Sequence, residues 1–361
     1  MLHKLIRFLP LAEKVITRKT TLPILSHVCV KGGYISATDL ENTVRMKVGD
    51  TRSYTIPLVI LKTVLMAKPQ FLEIDILGDK KVQIKYGPRK LTFNSLDPGE
   101  FPTAPLARFK SLGQWSREII RKLHDQLPYT FNKDLKPALT GVYVDQSATL
   151  KSCATDGHIL RLINDANEDR KGKLKNDFKG IIPKKALQIL SHTVKRDVHA
   201  AATNTHLRIM LDKDTEFIAR LINEKYPDFD SVIPKEFKGS VSLNKSSFEG
   251  LVRDAKPFVN RETGQAAFTI GKSSVEIEVE DKEKDISWDS SMPVMTRDGE
   301  EIQIGLNVHL LGTVLKGINE TEVLWQYISP AAANIFTGIN GQKPNTLHLI
   351  MPIRLKGDNH E

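Results

Sequence analysis

Asp156 and His158, separated only by Gly157, are the residues of this chain best suited by type and spacing to acid–base chemistry. A carboxylate beside an imidazole can orient the ring and let it move a proton near neutral pH. An Asp-Gly step that closes a strand is nevertheless a turn first, because glycine accepts a positive φ and the carboxylate accepts backbone N–H groups. The chain supplies its own comparison: 33–41 (GYISATDLE) matches 150–158 (LKSCATDGH), so Asp39 repeats Asp156. Leu40 and Glu41 then stand where Gly157 and His158 would be needed, so the repeat does not preserve an acid–base pair.

Other chemistries find less support. Gly271-Lys272-Ser273 has the ending of a phosphate-binding loop, but the glycine required five residues earlier is Ala266. Without it the backbone amides cannot wrap a phosphate. No paired-cysteine spacing and no His-Glu-x-x-His helix is present, so neither a metal nor another cofactor is expected. Cys29 and Cys153 lie in apolar, strand-like runs and read as buried, reduced thiols of a cytoplasmic protein. The chain is expected to be no enzyme.

The elements that must position these residues are organised by a repeat. The Ala-Thr-Asp triplets begin at Ala37 and Ala154, Ile56-Pro57 is matched by Ile182-Pro183, and Phe101-Pro102 by Tyr226-Pro227. All three pairs are separated by roughly 120 residues and keep their order, which argues for duplication. A third segment keeps the plan without the words. Asn244 can cap a helix using Phe248, Leu251, Val252 and Ala255; 275–279 (VEIEV) alternates as a strand; Asn307 can cap a helix through Leu310, Leu311, Val314 and Leu315, ended by Gly317. Strand patterns follow at 322–328, 334–339 and 346–353. Earlier strands are expected at 71–76, 81–86, 140–145 and 206–211.

Pro57 and Pro183 suit first helical turns, and Ser116 can cap a helix through Ile119, Ile120 and Leu123, with Glu118 well placed against its dipole. The stretch 1–16 reads as an amphipathic helix that Pro10 limits, so it should begin close to that proline. The expected fold is α+β: three similar domains, 1–112, 113–238 and 239–361, each with two helices packed on antiparallel sheets.

At 361 residues, 40% hydrophobic and 26% charged, the chain is an ordinary globular mixture with no apolar run long enough to cross a bilayer and no signal peptide. Its charge is uneven. Residues 1–112 hold 18 Lys/Arg against 9 Asp/Glu, 113–238 hold 22 against 17, and 239–361 hold 12 against 17. Two basic domains followed by an acidic one point to a polyanion partner, head-to-tail self-association, or both.

The segments 21–25 (TLPIL), 36–41 (SATDLE), 139–142 (LTGV), 154–158 (ATDGH), 182–187 (IPKKAL), 219–234 (ARLINEKYPDFDSVIP) and 351–355 (MPIRL) together resemble the bacterial sliding clamp, the beta subunit of DNA polymerase III. The ordered set spans almost the whole chain. The resemblance implies the DNA-clamp fold, with two protomers closed head to tail into a ring around duplex DNA, helices lining the hole and sheets outside. It implies a processivity factor that tethers polymerase, clamp loader and repair proteins through short linear motifs.

A protein that slides should neutralise phosphates without reading bases. The expected helices carry Lys4, Arg7, Lys14, Lys62, Arg117, Arg121, Lys122, Lys184, Lys185, Lys195 and Arg196. With Arg18, Lys19 stands by position where the family has a DNA-contacting arginine. The peptide-binding pocket that the resemblance implies falls on Leu139, Thr155, Gly157, His158, Leu160, Pro227, Val232, Leu349, Met351, Pro352 and Arg354. The chain departs from the family in four ways. Ile159 and Ser231 replace rim arginines, the balance is basic, the amino end is short where the first strand of domain one is expected, and a tail at 356–361 follows the usual last leucine. A repeat scaffold that binds linear motifs without encircling DNA, and a nucleic-acid-processing enzyme, are the alternatives. Magnesium-dependent nuclease activity would mark the enzyme.

Overall fold

The computed structural model describes residues 1–17, 20–78, 80–103, 108–132, 135–147, 149–165, 174–341 and 345–355. The first repeat runs α1 (Leu2–Val15), β1 (His27–Lys31), β2 (Tyr34–Thr38), β3 (Asn42–Lys47), β4 (Tyr54–Pro57), α2 (Leu58–Met66), β5 (Leu72–Leu77), β6 (Lys81–Tyr86) and β7 (Arg89–Asn94). The second runs β8 (Lys110–Trp115), α3 (Arg117–His124), β9 (Gly141–Gln146), β10 (Leu150–Thr155), β11 (Ile159–Asp165), β12 (Phe178–Pro183), α4 (Lys184–Thr193), β13 (Val198–Ala202), β14 (His206–Met210) and β15 (Thr215–Arg220). The third runs β16 (Gly239–Asn244), α5 (Lys245–Ala255), β17 (Gln265–Ile270), β18 (Ser274–Asp281), β19 (Ile286–Pro293), β20 (Thr296–Asp298), β21 (Ile302–Asn307), α6 (Val308–Lys316), β22 (Glu322–Tyr327), β23 (Asn334–Ile339) and β24 (Thr346–Ile350). The α+β class and the alternation of helix and strands are as the sequence leads one to expect.

The helix signals mostly hold. Ser116 accepts the N–H of Ile119 at 3.1 Å, Asn244 that of Ser247 at 3.0 Å, and Asn307 those of His309 and Leu310 at 2.9 and 3.0 Å. Phe248, Leu251, Val252 and Ala255 are the buried face of α5. Pro57 and Pro183 fall one residue earlier than expected, as the N-cap residues of α2 and α4.

Pro10 is a clear correction: it lies inside α1. Leu5, Phe8, Ala12 and Val15 form one buried stripe along that helix, while Pro10 faces outward. Burial of four apolar side chains outweighs the roughly 3 kcal/mol that an interior proline costs. Gly317 also differs. It ends α6 with φ of −77°, not in the left-handed region, and glycine is needed for space, because a Cβ there would meet His348 and the Tyr129 hydroxyl at 2.6 Å.

The chain divides into two compact units, Met1–His124 with Gly172–Asn223, and Asp125–Lys171 with Glu224–Glu361. The first holds an antiparallel sheet in the order β4-β1-β2-β3-β15-β14-β13-β8 and a three-stranded sheet β5-β6-β7. Helix α1 packs on α2, and α3 on α4. The second unit holds the order β9-β10-β11-β24-β23-β22-β16-β20, a four-stranded sheet β19-β18-β17-β21, and the packed pair α5 and α6. Each unit contains one seam between consecutive repeats: β3 pairs with β15, and β11 with β24. Among the described residues no helix is long and apolar enough to cross a membrane.

Candidate functional site

Asp156 is occupied by the backbone. Its Oδ1 accepts the N–H groups of His158 and Ile159, both at 2.8 Å, while Gly157 takes φ of +95°. Thr155 completes the turn, accepting the Gly157 N–H at 3.0 Å and donating to the Ile159 carbonyl at 2.7 Å. Asp39 does the same in the first repeat, accepting from Glu41 and Asn42 at 3.1 and 2.6 Å. Leu40 takes the positive φ there, at +79°, in place of glycine.

That turn leads into a row of side chains. Thr155 on β10 is the register partner of Leu160 on β11, which is in turn the partner of Leu349 on β24. Register partners share a face and alternate residues return to it, so Tyr143, Cys153, Thr155, Leu160 and Leu349 lie on one side of the sheet. Leu160 and Leu349 are 2% and 3% exposed.

The segment carrying Pro227 and Val232 is pinned over the same face. Tyr226 stacks on Tyr143 with ring centroids 5.1 Å apart, and Phe229 lies 5.8 Å from Tyr143. The Tyr226 hydroxyl donates to the Cys153 carbonyl at 3.3 Å, and Lys151 pairs with Asp230 at 2.7 Å while lying 4.8 Å above the Phe229 ring. Burial raises the Tyr226 hydroxyl and the Cys153 thiol well above their ordinary pKa values, so both stay neutral. Val232, in the short 3-10 turn Asp230–Val232, is 50% exposed, an aliphatic side chain left open to solvent beside an apolar face.

The chain end closes the other side. The Met351 N–H donates to the His158 carbonyl at 2.8 Å, extending the β11–β24 ladder past β24, and the Ile353 N–H donates to the Gly305 carbonyl at 2.8 Å on β21. A side chain at Gly305 would strike the Ile353 carbonyl and the Leu355 side chain. Met351 is 39% exposed. The structure thus gathers Thr155, Leu160 and Leu349 in a row, sets Gly157, His158 and Met351 at its end, and places Pro227 and Val232 on the segment above the face. Leu139, buried in the turn Pro137–Thr140, and Pro352 and Arg354, which follow Met351, are positioned by chain neighbours of the row and not by its register.

No arginine stands at positions 159 and 231. Ile159 is buried and pairs with Ile350, and the Ser231 hydroxyl donates to the Asp228 carbonyl at 2.8 Å. A separate open cavity of about 790 Å³ is lined by Ser231, Ile233, Phe237, Ile328 and their polar neighbours, and by none of the expected pocket residues. Sequence reading missed the braces Tyr143, Lys151, Phe229 and Asp230. Tyr226-Pro227 stands out as a repeat landmark, but its ring contact with Tyr143 joins residues remote in sequence and leaves no local signal.

The expected DNA-facing cations all lie in the first unit, except that Arg18 and Lys19 fall outside the described residues. Several are engaged: Arg7 with Asp212 at 2.6 Å, Lys62 with Glu13 at 2.6 Å, Arg121 with Glu118 at 2.5 Å, and Lys185 with Asp39 and the Val15 carbonyl. Lys4 donates to the Lys47 carbonyl at 2.9 Å. Arg117, Lys195 and Arg196 are exposed, and Lys122 and Lys184 are half-buried. Desolvation, with the charge of Lys195 added, lowers the pKa of Lys14. Two ammonium groups that repel one another suit an anion that neutralises both.

Residues 117–228 match the family model described as DNA polymerase III beta subunit, central domain. A beta sliding clamp from Pseudomonas putida is 25% identical to the chain, over 97% of this chain and 98% of the relative. The beta subunit of the DNA polymerase from Streptococcus pyogenes superposes with a TM-score of 0.86 at 18% identity, and the DNA polymerase III beta subunit from Pseudomonas aeruginosa with 0.86 at 22%; each comparison covers 98% of both chains. With its matched central segment, its near-full-length likeness and its shared fold, this chain is similar throughout to the DNA polymerase III beta subunits, the bacterial sliding clamps.

Proposed function

We propose that this chain is a DNA sliding clamp: a head-to-tail homodimer that encircles duplex DNA in the cytoplasm and tethers a polymerase, a clamp loader and repair proteins without chemistry of its own. The observation that carries this reading is the seam. The third strand after the first helix of one repeat pairs antiparallel with the last strand of the next, β3 with β15 and β11 with β24. Applied once more, the same step would pair β19 with β7 of a second copy, and these two strands are edges of their sheets. Their charges suit the pairing: β7 carries Arg89 and Lys90, while β19 carries Asp289 beside the acidic β18. Two such contacts close a ring.

In this reading the domains are 1–112, 113–238 and 239–361, the cations of α1 to α4 with Arg18 and Lys19 face DNA, and the Leu160–Leu349 row with Met351, Pro227 and Val232 receives an extended peptide. Sedimentation tests the assembly. A dimer of twice 40.5 kDa that loosens with salt is the expected result. A strict monomer at micromolar concentration in low salt would overturn it.

A further inference from the structure

We infer that His124 and His192 form a proton-dependent phosphate contact, so that this chain holds duplex DNA more tightly in mild acid than at neutral pH. The inference rests on the DNA reading above and adds to it two residues that the expected cations do not include.

His124 closes α3 and His192 lies in the last turn of α4, and these helices pack on one another within the first unit. The two rings meet edge to face, with centroids 6.4 Å apart. Each ring continues a helix stripe that carries cations. Residues three and four apart share a helix face, so His124 lies in line with Arg117 and Arg121, and His192 with Lys184 and Gln188. Arg117, Arg121, Gln188 and His192 are exposed, and His124 and Lys184 are half-buried. Lys195 and Arg196, both exposed, follow shortly after α4. The His192 ring is also oriented. Its Nδ1 lies 2.7 Å from the Gln188 carbonyl, and a carbonyl only accepts, so that nitrogen carries hydrogen. A proton taken up by this exposed ring therefore falls on Nε2 and makes it a charged donor.

The surroundings select an anion. On α3, Glu118 is held by Arg121 at 2.5 Å, and beyond α4 Asp197 accepts the Arg117 N–H at 3.4 Å. On α1, which packs on α4, Glu13 is paired with Lys62, while Lys14 feels the charge of Lys195. Lys185 is taken by Asp39, and Lys122 adds a further cation to α3. Strands β8 and β12, packed against α3 and α4, carry Lys110 and Lys179 and no carboxylate. Asp125, next to His124 along the chain, is the carboxylate placed to compete. Neighbouring cations oppose a proton on the pair in the free chain, and a phosphate laid against the rings favours it. Proton uptake and DNA binding therefore assist one another. The competing explanation is local: a cation in the last turn of a helix offsets its dipole and needs no DNA.

The test uses the full chain and a linear duplex of random sequence. Affinity is measured by fluorescence anisotropy over a range of salt, at about pH 7.5 and again at about pH 5.5, because imidazole changes charge across that interval. At the lower pH the slope of log affinity against log salt should steepen by about 1.8, roughly 0.9 for each new phosphate contact. His124→Gln with His192→Gln should lose most of that increase and keep the slope at the higher pH. The comparison subtracts the other histidines. His192→Lys, which carries a permanent charge, should bring about 0.9 of the increase to the higher pH. A purely helix-end role would raise the melting temperature in acid and leave the slope unchanged. The proposal is overturned if the slope of the unaltered chain does not respond to pH, or if the doubly substituted chain keeps the whole response. Should that chain fail to fold, an unchanged slope for His192→Lys overturns it. Binding that is insensitive to salt at both pH values would instead overturn the DNA reading itself.

Discussion

Leu160 and Leu349 are direct register partners across the β11–β24 seam, so two leucines from remote parts of the chain form one apolar surface. Both are buried, whereas Met351, just beyond the ladder, and Val232, on the segment above it, remain half open. In the proposed peptide pocket the floor is therefore fixed by strand pairing and the walls are adaptable side chains. A methionine wall, unbranched and polarizable, can fit several peptides.

Met351→Ala should lower the affinity of a clamp-motif peptide about tenfold or more while leaving the melting curve and the dimer unchanged, as read by peptide titration. Leu160→Ala should also lower that affinity but lose about 2–5 kcal/mol of stability, because it opens a cavity in a packed sheet. Unchanged affinity in both variants would remove the pocket assignment.

Asp156→Ala should cost about 1–3 kcal/mol in denaturant unfolding, since two backbone N–H groups lose their acceptor. Asp156→Asn, which keeps an acceptor oxygen, should cost much less. Asp39→Ala should behave like Asp156→Ala, because it caps the same turn. A large loss from Asp156→Ala with none from Asp39→Ala would separate the two turns.

His348 gives the second unit an acid sensitivity. It is fully buried against Tyr129, whose hydroxyl lies 2.7 Å from Nδ1, and beside Arg161, its register partner. Burial first, and the Arg161 charge second, hold its pKa well below the ordinary value of 6.5. The folded form therefore keeps His348 neutral, while the unfolded chain binds a proton below about pH 6.5. Stability should be complete above that pH and fall by about 1.4 kcal/mol per pH unit beneath it for this one group. His348→Gln should remove that slope from the unfolding free energy measured against pH; an unaltered slope would contradict the assignment.

Lys195→Ala with Arg196→Ala should weaken binding to unrelated duplexes equally and reduce the slope of log affinity against log salt by about 2. Discrimination among duplex sequences by the unaltered chain would argue against phosphate contacts that slide.

Much of this was legible because it is local. The caps Ser116, Asn244 and Asn307, the alternation of β18 and the span of β6 follow from side-chain type and short-range period. Pro10 was misread because its cost is local while the stripe that outweighs it meets the rest of the unit. The Gly317 requirement comes from His348 and Tyr129 and has no sequence period. For the site, the Asp-Gly turn could be read directly, and the resemblance named the pocket residues. The aromatic brace of Tyr143, Tyr226 and Phe229 could not be read, and neither could the ion pairs that engage Arg7 and Lys62, because they depend on contacts between distant segments.

The central claim, a ring closed around DNA, is tested most directly by topology. Loaded onto nicked circular duplex and passed through gel filtration in salt that breaks phosphate contacts, the protein should remain with the circle and leave once a single cut makes the DNA linear. Equal release from circular and linear DNA would contradict the account.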